Sequence, residues 1–346
     1  MQLIETFLLG SSFKKLSKFG SHTREIEYYN YYAKYLDIKV IDYESSQFKT
    51  DFKILSKPLN KNKFLWSIDY NRQVSKCVNN KVDFIKSKQL YGSWLGFFLA
   101  KKLKSKFIIR IGYSYAQSKL FQSKIGKILF PIFRLIERLL IKNADAIIYG
   151  SEYLKEIYNC KNQKNIVVRN PVSESFFYLN QNNRTRTFVS VGRLIKSKGS
   201  LEIEIIDSYV KNGIIIGKNP DNINIKNSEY FEIVNNDKLP NILKKSKYYL
   251  SMSKTEGSPK AMLEAIFCGC IPVVSNIPAH KDIILDLGYG FLVDTFDCAI
   301  TTIKSKKNNY CKYKHKIFVE KWSIKNVVYK EIEFLKNNFI IKNEKK

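Results

Sequence analysis

The chain has 346 residues, enough for two domains at about 150 residues each. Hydrophobic residues make up 45% and aromatics 14%, which supplies two packed cores and excludes a mainly disordered chain. The formal net charge of +28 points to phosphate-bearing partners: nucleic acid, an anionic membrane face or a phosphorylated small molecule. Lys and Asn recur from end to end, so part of that charge is solvated background.

The opening MQLIETFLLGSSF lacks the basic start and long apolar core of a secretory signal. The cysteines at 77, 160, 268, 270, 298 and 311 form no C-x-x-C pair. They read as reduced thiols of a cytoplasmic protein. Short apolar runs then alternate with amphipathic stretches, the pattern of βαβ units and parallel sheets. Gln2–Leu9 reads as a strand, Gly20–Ser21 opens a helix reaching Leu36, and Ile38–Ile41 and Lys106–Ile111 are further strands, the latter ending at Gly112. Leu120–Lys142 is a long helical pattern interrupted at Pro131, and Ala144–Tyr149 is a strand before Gly150–Ser151. The apolar run ILFPIFRLIERLLI is broken by Arg134, Glu137 and Arg138, so it does not reach the length of a spanning helix. Its stripe reads as packing on the first sheet. The interleaved Lys124, Lys127, Arg134, Arg138 and Lys142 suit contact with an anionic leaflet.

The polar segment from Arg169 to Thr187, with Pro171 and an Asn cluster, marks a linker. A second α/β set follows: strands Phe188–Val191, Gly213–Ile216, Tyr248–Met252 and Ile271–Ser275, and a helix Pro259–Cys268. From about Ser323 to Phe339 the pattern is again helical, and a Lys-rich tail ends the chain.

Two units carry chemistry. In YYLSMSKTEGSPKAMLEAIFCGCIPVVS, Ser258 is placed as an N-cap with Pro259 at the first helical position, and Gly269 stops the helix. The helix therefore starts at the carboxyl edge of a parallel strand, where α/β sheets bind ligands and amide groups favour phosphate. Glu256 precedes it and Glu264 lies inside it, so the two carboxylates frame one turn. In FVSVGRLIKSKG, Gly192 permits a tight turn after a strand. Arg193 and Lys198 follow it, a guanidinium fork and a mobile ammonium that suit a diphosphate.

VGRL…KG followed by S-x-T-E-G-S-P-x-A-x-L-E-A-x-x-C-G-x-I-P-V-V-S resembles the C-terminal half of retaining GT-B glycosyltransferases of the glycogen-synthase-like group, family 4. ADAIIYGSEYLKE, IVVRNPVSESFF and FVEKWSIKNVVYKEI are similar to further stretches of that family. The resemblance runs from about Ala144 to Ile332 and only loosely before it. It implies an α/β GT-B fold: two Rossmann-like domains with parallel sheets facing across a cleft, and a C-terminal helix crossing back to the first. The expected division is 1–168 for the acceptor domain, 169–187 for the linker, 188–322 for the nucleotide-sugar domain, and 323–346 for the returning helix and basic tail. By resemblance Glu264 binds the ribose hydroxyls and Glu256 the donor sugar. Arg193 and Lys198 neutralise the departing diphosphate, and Gly257, Ser258, Pro259, Lys260 and Ala261 offer backbone contacts to sugar and phosphate.

The family's Gly-rich loop in the first domain has one candidate here, Gly20–Ser21, which reads equally as an ordinary helix start. Where many relatives carry a His after a strand, this chain has Gly112, with Arg110 beside it as a candidate contact for an anionic acceptor. His22, His280 and His315 are too scattered for a metal site or a triad, and Cys268 and Cys270 read as packing residues. No D-x-D motif lies in a suitable loop, so Arg and Lys stand in for a divalent ion: no cofactor and no metal are expected. The expected partners are a nucleotide-sugar donor, a glycan or lipid-linked acceptor and an anionic membrane surface. That places the chain in the cytoplasm, peripheral on the inner membrane face, in surface-polysaccharide assembly. Two other readings stay open. A nucleic-acid-binding protein would fit the charge, but no zinc-finger spacing, RRM signature or basic stripe accompanies it. The other is a catalytically silent GT-B scaffold.

Overall fold

The computed structural model divides the chain into two units, Met1–Arg169 with Ile324–Lys346, and Asn170–Ser323. It describes residues 1–6, 12–18, 21–42, 44, 48–56, 74, 81–90, 92–117, 124–158, 163–179 and 184–339. In the first unit run β1 (Gln2–Thr6), α1 (Phe13–Ser17), α2 (His22–Ala33), β2 (Asp37–Asp42), β3 (Lys53–Ser56), β4 (Phe84–Ser87), α3 (Ser93–Leu103), β5 (Lys106–Ile111), α4 (Lys124–Lys142), β6 (Ala146–Tyr149), α5 (Glu152–Tyr158) and β7 (Lys164–Val167). The strands form one parallel sheet in the order β3-β2-β1-β4-β5-β6-β7. The central strands are buried along their length, as expected where helices cover both faces of a sheet.

The second unit runs β8 (Arg186–Val191), α6 (Ser200–Tyr209), β9 (Gly213–Ile216), β10 (Ser228–Phe231), α7 (Leu239–Leu243), β11 (Ser246–Ser251), α8 (Lys260–Phe267), β12 (Ile271–Ser275), α9 (Pro278–Leu287), β13 (Phe291–Val293), α10 (Phe296–Lys304) and α11 (Lys312–Trp322). Its parallel sheet has the order β10-β9-β8-β11-β12-β13. Phe188, Leu250, Val273 and Ile206 sit at the centre of its core. From Asn170 on, the segment read as a linker is assigned to this unit: Val172 and Phe176 are buried, and the amide of Tyr178 donates to the Phe267 carbonyl at 3.0 Å. Apolar side chains at 172 and 176 outweigh the polar residues around them. α12 (Ile324–Phe339) rejoins the first unit.

What fixes α12 there is a buried charge cluster. Glu331, fully buried, accepts from Lys86 of β4 at 2.9 Å and from Arg110 Nε of β5 at 2.9 Å. Tyr28 and Tyr32 of α2 also donate to it, Tyr28 at 2.8 Å. Lys86 pairs in turn with Glu5 of β1 at 3.0 Å. Burial opposes the charge on Glu331, but Lys86 and Arg110 override it and hold the carboxyl well below the usual carboxylate range. For Lys86, burial acts to lower the ammonium, and Glu331 and Glu5 override it and raise it. Arg110 also donates to the Val168 and Arg169 carbonyls at 3.2 and 3.0 Å. This corrects the acceptor role expected for Arg110: its guanidinium is buried and spent on Glu331 and the chain leaving the sheet.

Two local expectations change as well. The helix α4 runs through Pro131 without a break, although the ring removes one hydrogen bond and crowds the Lys127 carbonyl. Its apolar stripe does not pack on the sheet: Ile128, Ile132, Leu135, Ile136 and Leu139 are exposed. The inward side is set instead by Glu137, which is buried and accepts from Ser114 Oγ at 3.0 Å, the Ala116 amide at 3.1 Å and Tyr158 at 2.9 Å. Turning Glu137 outward would strand those donors, so the helix rotates its apolar side to the surface.

Replacing Glu331 by Ala takes from buried Arg110 its carboxylate and leaves Lys86 with Glu5 alone, and the expected cost is about 3–5 kcal/mol, measured by urea denaturation at neutral pH. Because the folded-state pKa of Glu331 is depressed, its contribution is present above the unfolded-state value. The gap between wild type and Glu331→Ala therefore narrows as pH falls below about 4.

Candidate active site

The second sheet reverses its strand order between β8 and β11, and open α/β sheets bind ligands outside the carboxyl ends of the strands at such a point. A cavity of about 200 Å³ lies there. Ser190, Val191, Gly192 and Arg193 line it from β8 and the turn after it, and Lys198 from the following loop. Tyr249, Ser251, Ser253 and Glu256 line it from β11 onward, and Pro259, Lys260 and Ala261 from the start of α8.

Glycines decide how the two loops meet. At Gly199 φ is +74°, and a Cβ there would stand 2.2 Å from the Met252 carbonyl oxygen. At Gly217 a Cβ would stand 1.8 Å from the Gly192 carbonyl oxygen. Only glycine permits these two approaches: the first brings the loop after β8 against the end of β11, and the second brings the turn after β9 against the turn after β8. The Lys254 amide then donates to the Ser197 carbonyl at 3.0 Å, and Lys254 Nζ pairs with Glu202 of α6 at 3.1 Å.

The result is an ion pair between Lys198 Nζ and Glu256 Oε1, joined by Ser253 Oγ, which donates to the same oxygen at 2.9 Å. Arg193 is exposed beside them, without an ion pair among the described residues. Behind Ser253, Ser275 Oγ donates to its carbonyl at 2.6 Å, and His280 Nδ1 donates to the Ser275 carbonyl at 2.9 Å. Burial pushes the His280 imidazole down to about 4, against the Ser275 hydrogen bond and the Glu256 carboxylate.

The structure thus brings Arg193, Lys198, Glu256, Pro259, Lys260 and Ala261 to one cavity. Glu264 is buried on α8 and does not line it. Glu264 and Glu256 both act on Tyr249, whose phenol burial raises first and the two carboxylates raise further. The helix begins one residue later than expected: Pro259 holds the N-cap and Ser258 does not cap. Ser258 Oγ is buried without a partner among the described residues, while its carbonyl accepts from Asn170 Nδ2 at 3.0 Å. Gly257 is buried in the same bend. In the first unit, Gly20 lies outside the described residues, and Ser21 precedes α2 with its hydroxyl on the Leu16 carbonyl at 3.2 Å. Sequence reasoning missed Tyr249, Ser190, Ser251 and Ser253. The small polar residues alternating at the end of YYLSMS were the available signal.

Residues 171–306 match the family model for glycosyl transferases group 1. No curated protein matches the chain by sequence. Among solved structures, sucrose-phosphate synthase from Thermosynechococcus elongatus is similar at a TM-score of 0.79 and 11% identity, over 98% of this chain and 99% of that one. The HepE protein of Anabaena in complex with UDP-glucose is similar at 0.73 and 12%, over 97% and 100%. The lipopolysaccharide outer core galactosyltransferase WaaB is similar at 0.67 and 16%, over 97% and 99%. The two parallel-sheet units are the GT-B architecture, and the domain match together with the fold supports a glycosyltransferase.

Two buried histidines tie this unit to pH. Burial lowers both His280 and His315 to about 4, and His315 Nε2 donates to the Ile266 carbonyl at 2.7 Å. The folded state then binds fewer protons than the unfolded state between pH about 6.5 and 4. Stability is expected to fall with falling pH across that window, by up to about 1.4 kcal/mol per pH unit for each histidine. Urea melts of wild type and His280→Asn at several pH values check this: the variant's slope against pH should be shallower.

Proposed function

We propose that the chain is a retaining glycosyltransferase of family 4 that moves a sugar from a nucleotide-sugar to a glycan or lipid-linked acceptor in surface-polysaccharide assembly. One observation carries the reading: Arg193, Lys198 and Glu256 converge on a single cavity beside the start of α8, at the strand-order reversal. Breaking an anomeric bond builds negative charge on the departing diphosphate. Preorganised cations and a helix amino end stabilise that charge most where it develops.

In this mechanism donor binding exchanges partners. Lys198 leaves Glu256 for a diphosphate oxygen, Arg193 takes a second oxygen through its planar fork, and Glu256 becomes free to accept from a sugar hydroxyl. Ser253 keeps Glu256 oriented during the exchange. Glu264, one turn deeper in α8, holds the ribose hydroxyls once Tyr249 and the Ser258 bend adjust to the nucleoside. Arg193 and Lys198 supply the positive charge for which other transferases use a divalent ion, so the reaction proceeds without metal. The acceptor is expected at the cytoplasmic face of the cell membrane. The UDP-glucose held by the HepE protein makes a UDP-sugar the first donor to try.

Thermal melting with UDP-, GDP-, ADP- and CMP-sugars tests the donor site. One class should stabilise the protein by about 2.7 kcal/mol at a hundred times its Kd, and no shift with any class would overturn the reading. With the right donor, Arg193→Ala and Lys198→Ala should each lower kcat by about 100-fold. The double variant should lose less than the product of the two, because both act on one charge. Proton NMR of the product should show the donor's anomeric configuration kept; inversion would refute the retaining assignment.

A further inference from the structure

The helix α4 presents an unusual surface. Ile128, Ile132, Leu135, Ile136 and Leu139 are exposed, Ile128 by 75% and Leu135 by 59%. At 3.6 residues per turn they share one sector of about 100°. Lys127, Arg138 and Lys142, all exposed, run along one edge of that sector. The helix's one acid, Glu137, is buried on the other side and bound by Ser114, Ala116 and Tyr158. Its outer surface therefore offers apolar side chains and positive charge with no negative charge. The helix α3 packs beside α4 and exposes Trp94 and Phe98, one turn apart.

Contiguous apolar surface on a water-soluble unit marks an interaction face, and its chemistry selects the occupant. A second copy would bring the same cations to the same seam and repel. A lipid bilayer with anionic headgroups satisfies both features, apolar side chains entering the acyl boundary and cations meeting phosphates. No helix among the described residues is long and apolar enough to cross a membrane, so contact at this face is in the plane of the surface.

We propose that α4 is an interfacial docking helix that lays Ile128, Ile132, Leu135, Ile136 and Leu139 into an anionic membrane surface, with Lys127, Arg138 and Lys142 on lipid phosphates. The docking relies on the proposed function only for where the acceptor lies; the surface itself is independent of donor chemistry.

The test is flotation of the full chain with phosphatidylcholine vesicles, with and without phosphatidylglycerol. Wild type should float with the anionic vesicles. Ile132→Asp/Leu135→Asp/Leu139→Asp should lose that binding by about tenfold or more, and Arg138→Glu/Lys142→Glu should lose it in part. Circular dichroism melting confirms the fold of each variant, with Leu135→Ser/Leu139→Ser as the milder pair should the triple variant not fold. The donor-induced melting shift, measured without lipid, should be the same in all folded variants, which separates failure of docking from failure of the donor site. Wild type that does not float, or folded apolar variants that float equally well, would overturn the proposal. So would a dimer in solution that the apolar variant disperses without any vesicle binding.

Discussion

The molecule's chemistry is governed by one topological constraint: an all-parallel sheet whose strand order reverses once. On either side of that reversal the strands of the second sheet step outward in sequence order, β8-β9-β10 one way and β11-β12-β13 the other. Between β8 and β11 the loops part, and a crevice opens with a helix start on one side. Gly199 and Gly217 then let the backbones close to distances no side chain would allow, which turns that crevice into a small cavity. Lys198 and Glu256, fifty-eight residues apart in sequence, meet because of this and not because of any attraction acting at a distance.

The pairing of Lys198 with Glu256 gives the site a particular electrostatic character. A lone carboxylate here would repel a diphosphate, and a lone lysine would bind anions without regard to the sugar. Paired, each neutralises the other; under the proposed function the pair opens for a ligand that offers both a phosphate and a hydroxyl, and so selects for a molecule carrying both groups. The hydrogen-bonded run Glu256–Ser253–Ser275–His280 backs this arrangement with buried groups. Such support limits the positions Glu256 can adopt.

The first unit uses buried charge differently. The Lys86, Glu5, Arg110 and Glu331 cluster holds α12 on a sheet whose strands lie far from it in sequence. Its fixed geometry is what a helix returning from a later part of the chain needs in order to dock in one register. On α4 a single buried carboxylate has the opposite visible effect: by turning inward, Glu137 sends an apolar face out. In both cases polar groups decide orientation and apolar ones follow, because an unmet buried charge costs more than an exposed leucine.

The parallel α/β class, the strands around the second-unit motif, and the association of Arg193, Lys198 and Glu256 with a helix start were legible from sequence alone. Their determinants are local: apolar runs of strand length, a proline and glycines at fixed offsets, and charges within a few residues of a turn. The strand β4 was not legible, because Lys86 in its middle reads as solvent-facing until Glu331 arrives from the far end of the chain to bury it. For the same reason Arg110 read as a ligand contact when it is a structural anchor, and the stripe on α4 read as core. Periodicity says that a helix has two faces, but which one turns inward depends on partners such as Ser114 and Tyr158 that only the folded chain brings together.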